Sequence, residues 1–340
     1  MKNNVLKNNS YLEWIVDHAI YIVLIGLVAT IVILSPDFLS ITNFINILSQ
    51  SSSRIIIALG VAGILITAGT DLSAGRLVGL AAVISASLLQ SSDYAYRMYP
   101  NLGELPIIIP IIIVMIVCGM LGLFNGLIVA KLNVPPFVST LGMMIIVYGL
   151  TSIYFDRPPY GAQPIGGLSK KFTTFAQSGI PIGEYQIPYL VLYAIATIII
   201  IWIIWNKTSL GKNMYAIGGN TEAAVVSGVS VVKNLMFIYM IAGMLYAFAG
   251  VLEAGRVGSA TNNTGNMYEL DAIAACVVGG VSLSGGVGTV PGVVTGVLIF
   301  QIINYGLAFL GVSTYIQYIV KGAIIIAAVA FDMRKHNKRK

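Results

Sequence analysis

The sequence predicts an all-α polytopic membrane protein, and three observations carry that prediction. Charged residues make up only 9% of the 340 residues, against 57% hydrophobic. A soluble domain carries roughly 25% charged residues to keep its surface wetted. The apolar residues come in unbroken runs: Ile107–Ala130 and Ile187–Trp205 hold no charge and match the roughly 20 residues a helix needs to cross a bilayer. No segment alternates in stretches of about ten residues, as a membrane barrel strand must. Hydrocarbon offers the backbone no hydrogen-bond partners, so a spanning chain is helix or closed barrel, and the runs select helix. Low polarity and the lack of a G-X-Y period exclude disorder and collagen.

Lys2 and Lys7 precede a first apolar run, Ala19–Leu34. Ser35-Pro36-Asp37 follows it in place of a small-x-small cleavage site, so an uncleaved first span is expected. Further runs are Ile55–Ala68, Leu77–Leu89, Val138–Phe155, Leu235–Leu252, Ala272–Val281, Val287–Leu310 and Ile319–Phe331. The total is about ten spans forming one transmembrane domain over residues 1–340. Cys118 and Cys276 sit inside apolar runs with neither disulfide nor metal spacing, and read as small buried hydrophobes. His18 and His336 lie near the chain ends.

Nineteen basic against thirteen acidic residues leave a net charge of +6. Arg334, Lys335, Lys338, Arg339 and Lys340 make residues 332–340 a basic tail, and Lys207, Lys212 and Lys233 mark the loop 206–234. With Lys131 they predict a cytoplasmic face carrying both chain ends. The tail fits topology and anionic lipid, not nucleic acid. Ser91–Pro106, Glu253–Asp271 and the long Asp156–Gln186 segment, despite Lys170 and Lys171, then fall outside.

Two places interrupt the apolar sequence with Gly, Ser and charge: Ala68–Arg76 and Gly279–Gly286, each containing Leu-Ser-x-Gly. Paired short, Gly-interrupted segments point to a transporter with internal repeats and discontinuous helices. Asp71, Ser73, Ser282 and Ser284 would then line a translocation pathway or gate. The alternative is close helix packing through small residues. Asp71 and Arg76 would each cost about 3 kcal/mol at mid-bilayer, so they are expected to pair or to sit at an interface. Glu253 and Arg256 end a span in the same style, as an interfacial ion pair or a solute contact. Asn125, in an otherwise apolar run, must hydrogen-bond another helix or line a cavity.

Leu283-Ser284-Gly285-Gly286 resembles the signature of ABC-type ATPases, but a further apolar span follows it. No G-x-x-x-x-G-K-[ST] phosphate cradle exists in the chain, so ATP hydrolysis is not expected of it. H-E-x-x-H and G-x-S-x-G are also absent. The sequence predicts no enzyme: no catalytic residue, cofactor or metal site.

In the loop 206–234, Asn220 is a good N-cap, Glu222 in the first turn suits the helix dipole, and Gly228 can close the helix. A helix of about two turns is expected, with Ala223, Ala224 and Val225 as an apolar knob. It is either a docking element or a capped surface turn.

Arg54–Arg76, Gly211–Asn220 with Glu222-Ala223-Ala224, Glu253–Asn263, Tyr268–Gly288 and Tyr318–Ile326 together resemble the membrane permease subunit of bacterial ABC sugar importers. The resemblance is to the ribose/galactoside branch, with the galactose and methyl-galactoside importers as the nearest group. It implies a homodimer in the bacterial inner membrane, two copies of a cytoplasmic ABC ATPase below, and a periplasmic sugar-binding protein above. It also implies that Glu222-Ala223-Ala224 enter a groove of the ATPase and that Gly219 and Asn220 set the turn presenting them. The expected activity is ATP-powered alternating access for a neutral monosaccharide, since Asp71 with Arg76 and Glu253 with Arg256 match in sign. Ribose or another pentose or hexose is the alternative solute. An ion-coupled symporter with Asp71, Glu253, Glu269 or Asp271 as relay groups is the alternative mechanism.

Overall fold

The structure is a computed structural model describing residues 25–157 and 161–337. The readings of Lys2, Lys7, His18 and of Lys338, Arg339 and Lys340 in the basic tail fall outside these residues. The chain is a multi-pass helical protein. Helix α1, Ile25–Leu34, leads through a 3-10 turn, Pro36–Leu39, into α2, Ile41–Ile66. Helix α2 is 26 residues long, about 39 Å at 1.5 Å per residue. It begins well before the apolar run at Ile55, taking in Asn43 and Ser49–Ser53. Ser40 caps its first turn by accepting from the Asn43 amide. The Ser51 and Ser52 hydroxyls donate to the Ile47 and Leu48 carbonyls at 2.6 and 2.8 Å, so their polarity is spent within the helix.

The first break follows, and α3 resumes over Ala74–Leu88. Helices α4 (Ile108–Lys131) and α5 (Pro136–Phe155) join through a short turn, with Asn133 at φ 52° and Pro136 at the first helical position. The segment read as a plain external loop carries α6 (Lys170–Gln177) and an antiparallel hairpin, β1 (Gly179–Ile182) and β2 (Tyr185–Pro188), turned at Gly183. Then come α7 (Tyr189–Lys207), α8 (Ser209–Gly219), α9 (Thr221–Val226), α10 (Val231–Val257), α11 (Tyr268–Val278), α12 (Val290–Phe309) and α13 (Thr314–Asn337).

Six described helices, α2, α4, α5, α7, α10 and α12, are long and apolar enough to cross a membrane; α1, α3 and residues 314–330 of α13 are shorter apolar stretches. Eleven-residue α11 spans about 16 Å, half a hydrocarbon core. Each of the ten apolar runs holds a helix among the described residues, but Ile187 and Pro188 lie in β2, Gly279–Val281 and Val287–Thr289 lie in the second break, and the helices are not ten spans of equal length.

Helix α2 is the inner helix, with 78% of its apolar window buried against 28–33% for α4, α5 and α7. Those three turn Ile112, Ile116, Phe124, Ile153, Ile199 and Ile200 outward, which suits lipid as the solvent. The seam between α4 and α10 is closed by glycine. A Cβ on Gly122 would overlap the Tyr239 carbonyl, one on Gly126 would lie 2.8 Å from Met236 Cα, and one on Gly243 would overlap the Cys118 carbonyl. Small residues let the two backbones touch, the main source of helix association in lipid.

Loops gather at two ends of the bundle. At one, the near end, the last turn of α4 meets α8, α9 and the start of α10: Ala130 packs with Ile217, Ala224 and Leu235. At the other, the far end, Gln90 donates to the Gly166 carbonyl and Ile165 bridges Ala260.

Candidate functional site

The first break is held by a chain of short polar side chains. Asp71 Oδ1 accepts from the Ser73 amide and hydroxyl at 2.9 and 2.6 Å. Asn125 Nδ2 on α4 donates to Ser73 Oγ at 3.2 Å, and Ser139 Oγ on α5 donates to Asn125 Oδ1 at 3.3 Å. All four side chains are buried. Asn125 therefore takes the hydrogen-bonding role, tying three helices around the break.

The expected Asp71–Arg76 pair does not form; no ion pair joins them among the described residues. Asp71 lies in coil and turns back on Ser73, whereas Arg76 is already in α3 and points elsewhere. Its Nη2 donates to Asn266 Oδ1 at 2.7 Å and its guanidinium lies 4.4 Å over the Tyr148 ring.

Glu253 and Arg256 do pair, through Arg256 Nη2 at 2.7 Å and Nε at 3.2 Å. The pair is no isolated interfacial contact. Ser53 and Tyr268 hydroxyls also donate to Glu253, at 2.9 and 3.0 Å. Arg54 stacks 3.2 Å above the Tyr268 ring centroid and lies 3.8 Å from Asp271, which Lys321 approaches at 3.1 Å. Glu253 and Asp271, read as belonging to an external stretch, thus sit inside helices at the crossing of α2, α10, α11 and α13. Sequence reasoning did not single out Arg54, Tyr268 or Lys321. An ionisable residue inside an apolar run, as Lys321 is, or at the edge of one, as Arg54 is, was the signal available.

The second break, between α11 and α12, folds on itself: Ser284 N donates to Ser282 Oγ at 3.2 Å and Gly285 N to Ser282 O at 3.2 Å. Gly280, Gly285 and Gly286 take φ of 84°, 85° and 72°, which only glycine adopts without strain. Ser282 and Ser284 hydrogen-bond to each other within their own break. The two breaks nevertheless meet elsewhere, since Gly286 N donates to the Ile66 carbonyl at 2.8 Å. Gly218 at the end of α8 is pressed into that contact, where a Cβ would overlap the Ile66 oxygen and lie 2.6 Å from Gly286 N. Tyr215, one turn earlier, donates to the Gly288 carbonyl at 2.9 Å. Burial pushes its phenol above the ordinary range, keeping it a protonated donor.

Beyond this junction, Asn220 Oδ1 accepts from the Ala223 amide at 2.9 Å and caps the six-residue helix α9, with Gly228 following at φ 82°. Glu222 is exposed in its first turn. The expected knob is rotated, however. Ala224 is 3% exposed and packs on Ile217 and Leu235, while Val225 and Val226 are 57% and 89% exposed. Gly219 carries no steric demand, as nothing lies within 4 Å of where its Cβ would be; the glycine that packing requires is Gly218. Asn220→Ala should cost roughly 0.5–2 kcal/mol of local helix stability. Hydrogen exchange at the Ala223 amide should accelerate accordingly, with amides in α10 unaffected.

Two comparisons bear on this arrangement. Residues 43–329 match the family described as branched-chain amino acid transport system / permease component. The chain is 57% identical over 337 residues to the galactose/methyl galactoside import permease proteins MglC of Haemophilus influenzae and Escherichia coli, covering 99% of this chain and 100% of each relative. It is 36% identical over 324 residues to the ribose import permease protein RbsC of Escherichia coli, covering 95% of both. No solved structure matches. A bundle broken twice, with both breaks meeting an end loop, and matched along 43–329 by one family description, belongs to that family of transport-system permease components.

Proposed function

We propose that the chain is the membrane permease of a bacterial importer for a neutral hexose, galactose or a methyl galactoside. It would work as a homodimer in the inner membrane, with both termini and the 206–234 loop cytoplasmic. Two copies of a separate ATPase would bind below and a periplasmic sugar-binding protein above. The observation that carries this reading is the near-end loop. It exposes Val225 and Val226 on a capped helix and presses Gly218 against both helix breaks. A partner gripping α9 therefore pulls on the discontinuities through one helix, α8.

The full-length similarity to the MglC proteins supports galactosides. The charge count supports a neutral solute: Arg54, Arg76, Arg256 and Lys321 stand against Asp71, Glu253, Glu269 and Asp271, four to four. ATP binding by the partner would shift the bundle between outward- and inward-open states, each ligand acting only through its different affinity for the two.

The test replaces Val225 and Val226 together by Lys. Galactose uptake is expected to vanish while insertion and expression persist, and unchanged uptake would refute the coupling role. Accumulation driven by a pH gradient in vesicles holding this protein alone would instead favour the symporter, with Glu269, whose Oε2 has no hydrogen-bond partner among the described residues, as the proton carrier.

A further inference from the structure

The segment between α10 and α11 does not stay at the far end. It leaves α10 at Gly258 with φ 82°, and Ala260 pairs with Ile165. It then runs inward beside α3, until the Thr264 carbonyl packs on Gly79 and the Gly265 carbonyl on Gly75. Arg76 lies 12 residues from the far end of α3 at Leu88, about 18 Å along a helix in a core about 30 Å thick. Irregular backbone at such depth persists only inside protein or beside water.

This segment and its neighbours present a polar face. Arg76 donates to Asn266 Oδ1 at 2.7 Å and covers the Tyr148 ring. Asn262 Nδ2 donates to Ser152 Oγ on α5 at 3.3 Å. Arg76, Asn262 and Asn266 are only half-buried, Tyr148 is 41% exposed, and Asn263 is exposed. An arginine facing hydrocarbon there is costly, and the half-free amides add to that. The face is therefore wet. Its chemistry is amide donors and acceptors, a forked guanidinium and one aromatic plate, with the Glu269 carboxylate within electrostatic reach of Arg76. That set suits a ring of hydroxyls with one apolar side, not an ion.

Resting on the importer reading above, we propose that Arg76, Tyr148, Asn262 and Asn266 form a hexose-binding platform midway along the translocation route. The Tyr148 ring takes the apolar side of the sugar, and the two amides and the guanidinium exchange their mutual hydrogen bonds for its hydroxyls. Solute selection is then shared by the permease itself.

The test uses the complete transporter reconstituted in vesicles, with galactose and methyl galactoside compared at saturating binding protein. Tyr148→Ala and Asn266→Ala should each slow galactose import about tenfold, the loss of one or two hydrogen bonds or a stacked ring. They should also alter the ratio of the two import rates, which a merely structural residue would leave alone. A separate Asn263→Cys variant should react with a charged, impermeant thiol reagent added on the far side, more slowly during galactose transport; native Cys118 and Cys276 are buried. An unchanged ratio in both variants, or an inert Cys at position 263 in a transporter that imports normally, overturns the platform alone. A wild-type transporter that imports no galactose overturns the hexose assignment together with the importer reading.

Discussion

Gly218→Ala is expected to abolish most import, whereas Gly219→Ala, one residue on, is expected to be nearly silent. The added methyl at 218 would overlap the Ile66 carbonyl oxygen and crowd Gly286 N. Both neighbours are backbone, so neither can swing aside as a long side chain would. Overpacking of this kind costs roughly 1–3 kcal/mol and more where main chain must move. The Gly286 N–Ile66 O bond of 2.8 Å is the contact that would yield. At 219 the methyl meets nothing, and in a helical position Ala is favoured over Gly by about 0.5–1 kcal/mol. Uptake rates and thermal unfolding in detergent, measured side by side, check the pair. Equal behaviour of the two variants would remove Gly218 from the path between α9 and the breaks.

Glu253→Ala should be the most destabilising single change in the charge network. It strands Arg256, whose guanidinium is held at two points by that carboxylate, and takes an acceptor from Ser53 and Tyr268. Glu253 is 2% exposed, and removing one partner of a buried pair costs roughly 3–5 kcal/mol. By contrast, Lys171→Ala breaks a 3.3 Å pair with Glu104 whose side chains are 78% and 47% exposed. Its effect should stay under about 1 kcal/mol. A lowered melting temperature for the first variant and none for the second is the expected outcome. Comparable melting for both would mean that lipid-facing water already screens Glu253.

The outer helices were the most legible part of the sequence. Helices α4 and α7 are long, lipid-facing and uncharged but for the terminal Lys131 and Lys207, so composition alone marks them. Helix α2 was read short because Asn43 and Ser49–Ser53 look like loop, although their hydrogen bonds close within the helix and onto its neighbours. Both breaks announced themselves through glycine, but their meeting did not. Ile66 and Gly286 are 220 positions apart, and no local pattern encodes that contact. Pairing Asp71 with Arg76 followed nearness in sequence, whereas the start of α3 at Ala74 turns the two side chains apart. In the near-end loop, capping by Asn220 was local chemistry and readable. Which of Gly218 and Gly219 is pressed, and whether Ala224 or Val226 faces out, depend on Ile217 and Leu235 packing from either side.

The glycine-lined contact of α4 with α10 has a mechanical consequence. Where backbone touches backbone, neither helix can slide or roll without a carbonyl striking a Cα, so the pair behaves as a strut. A transporter must still deform to expose its interior first to one compartment and then to the other. The compliance must then reside in the half-length rods α3 and α11 and their glycine elbows, pivoting against a frame that holds its shape throughout the cycle.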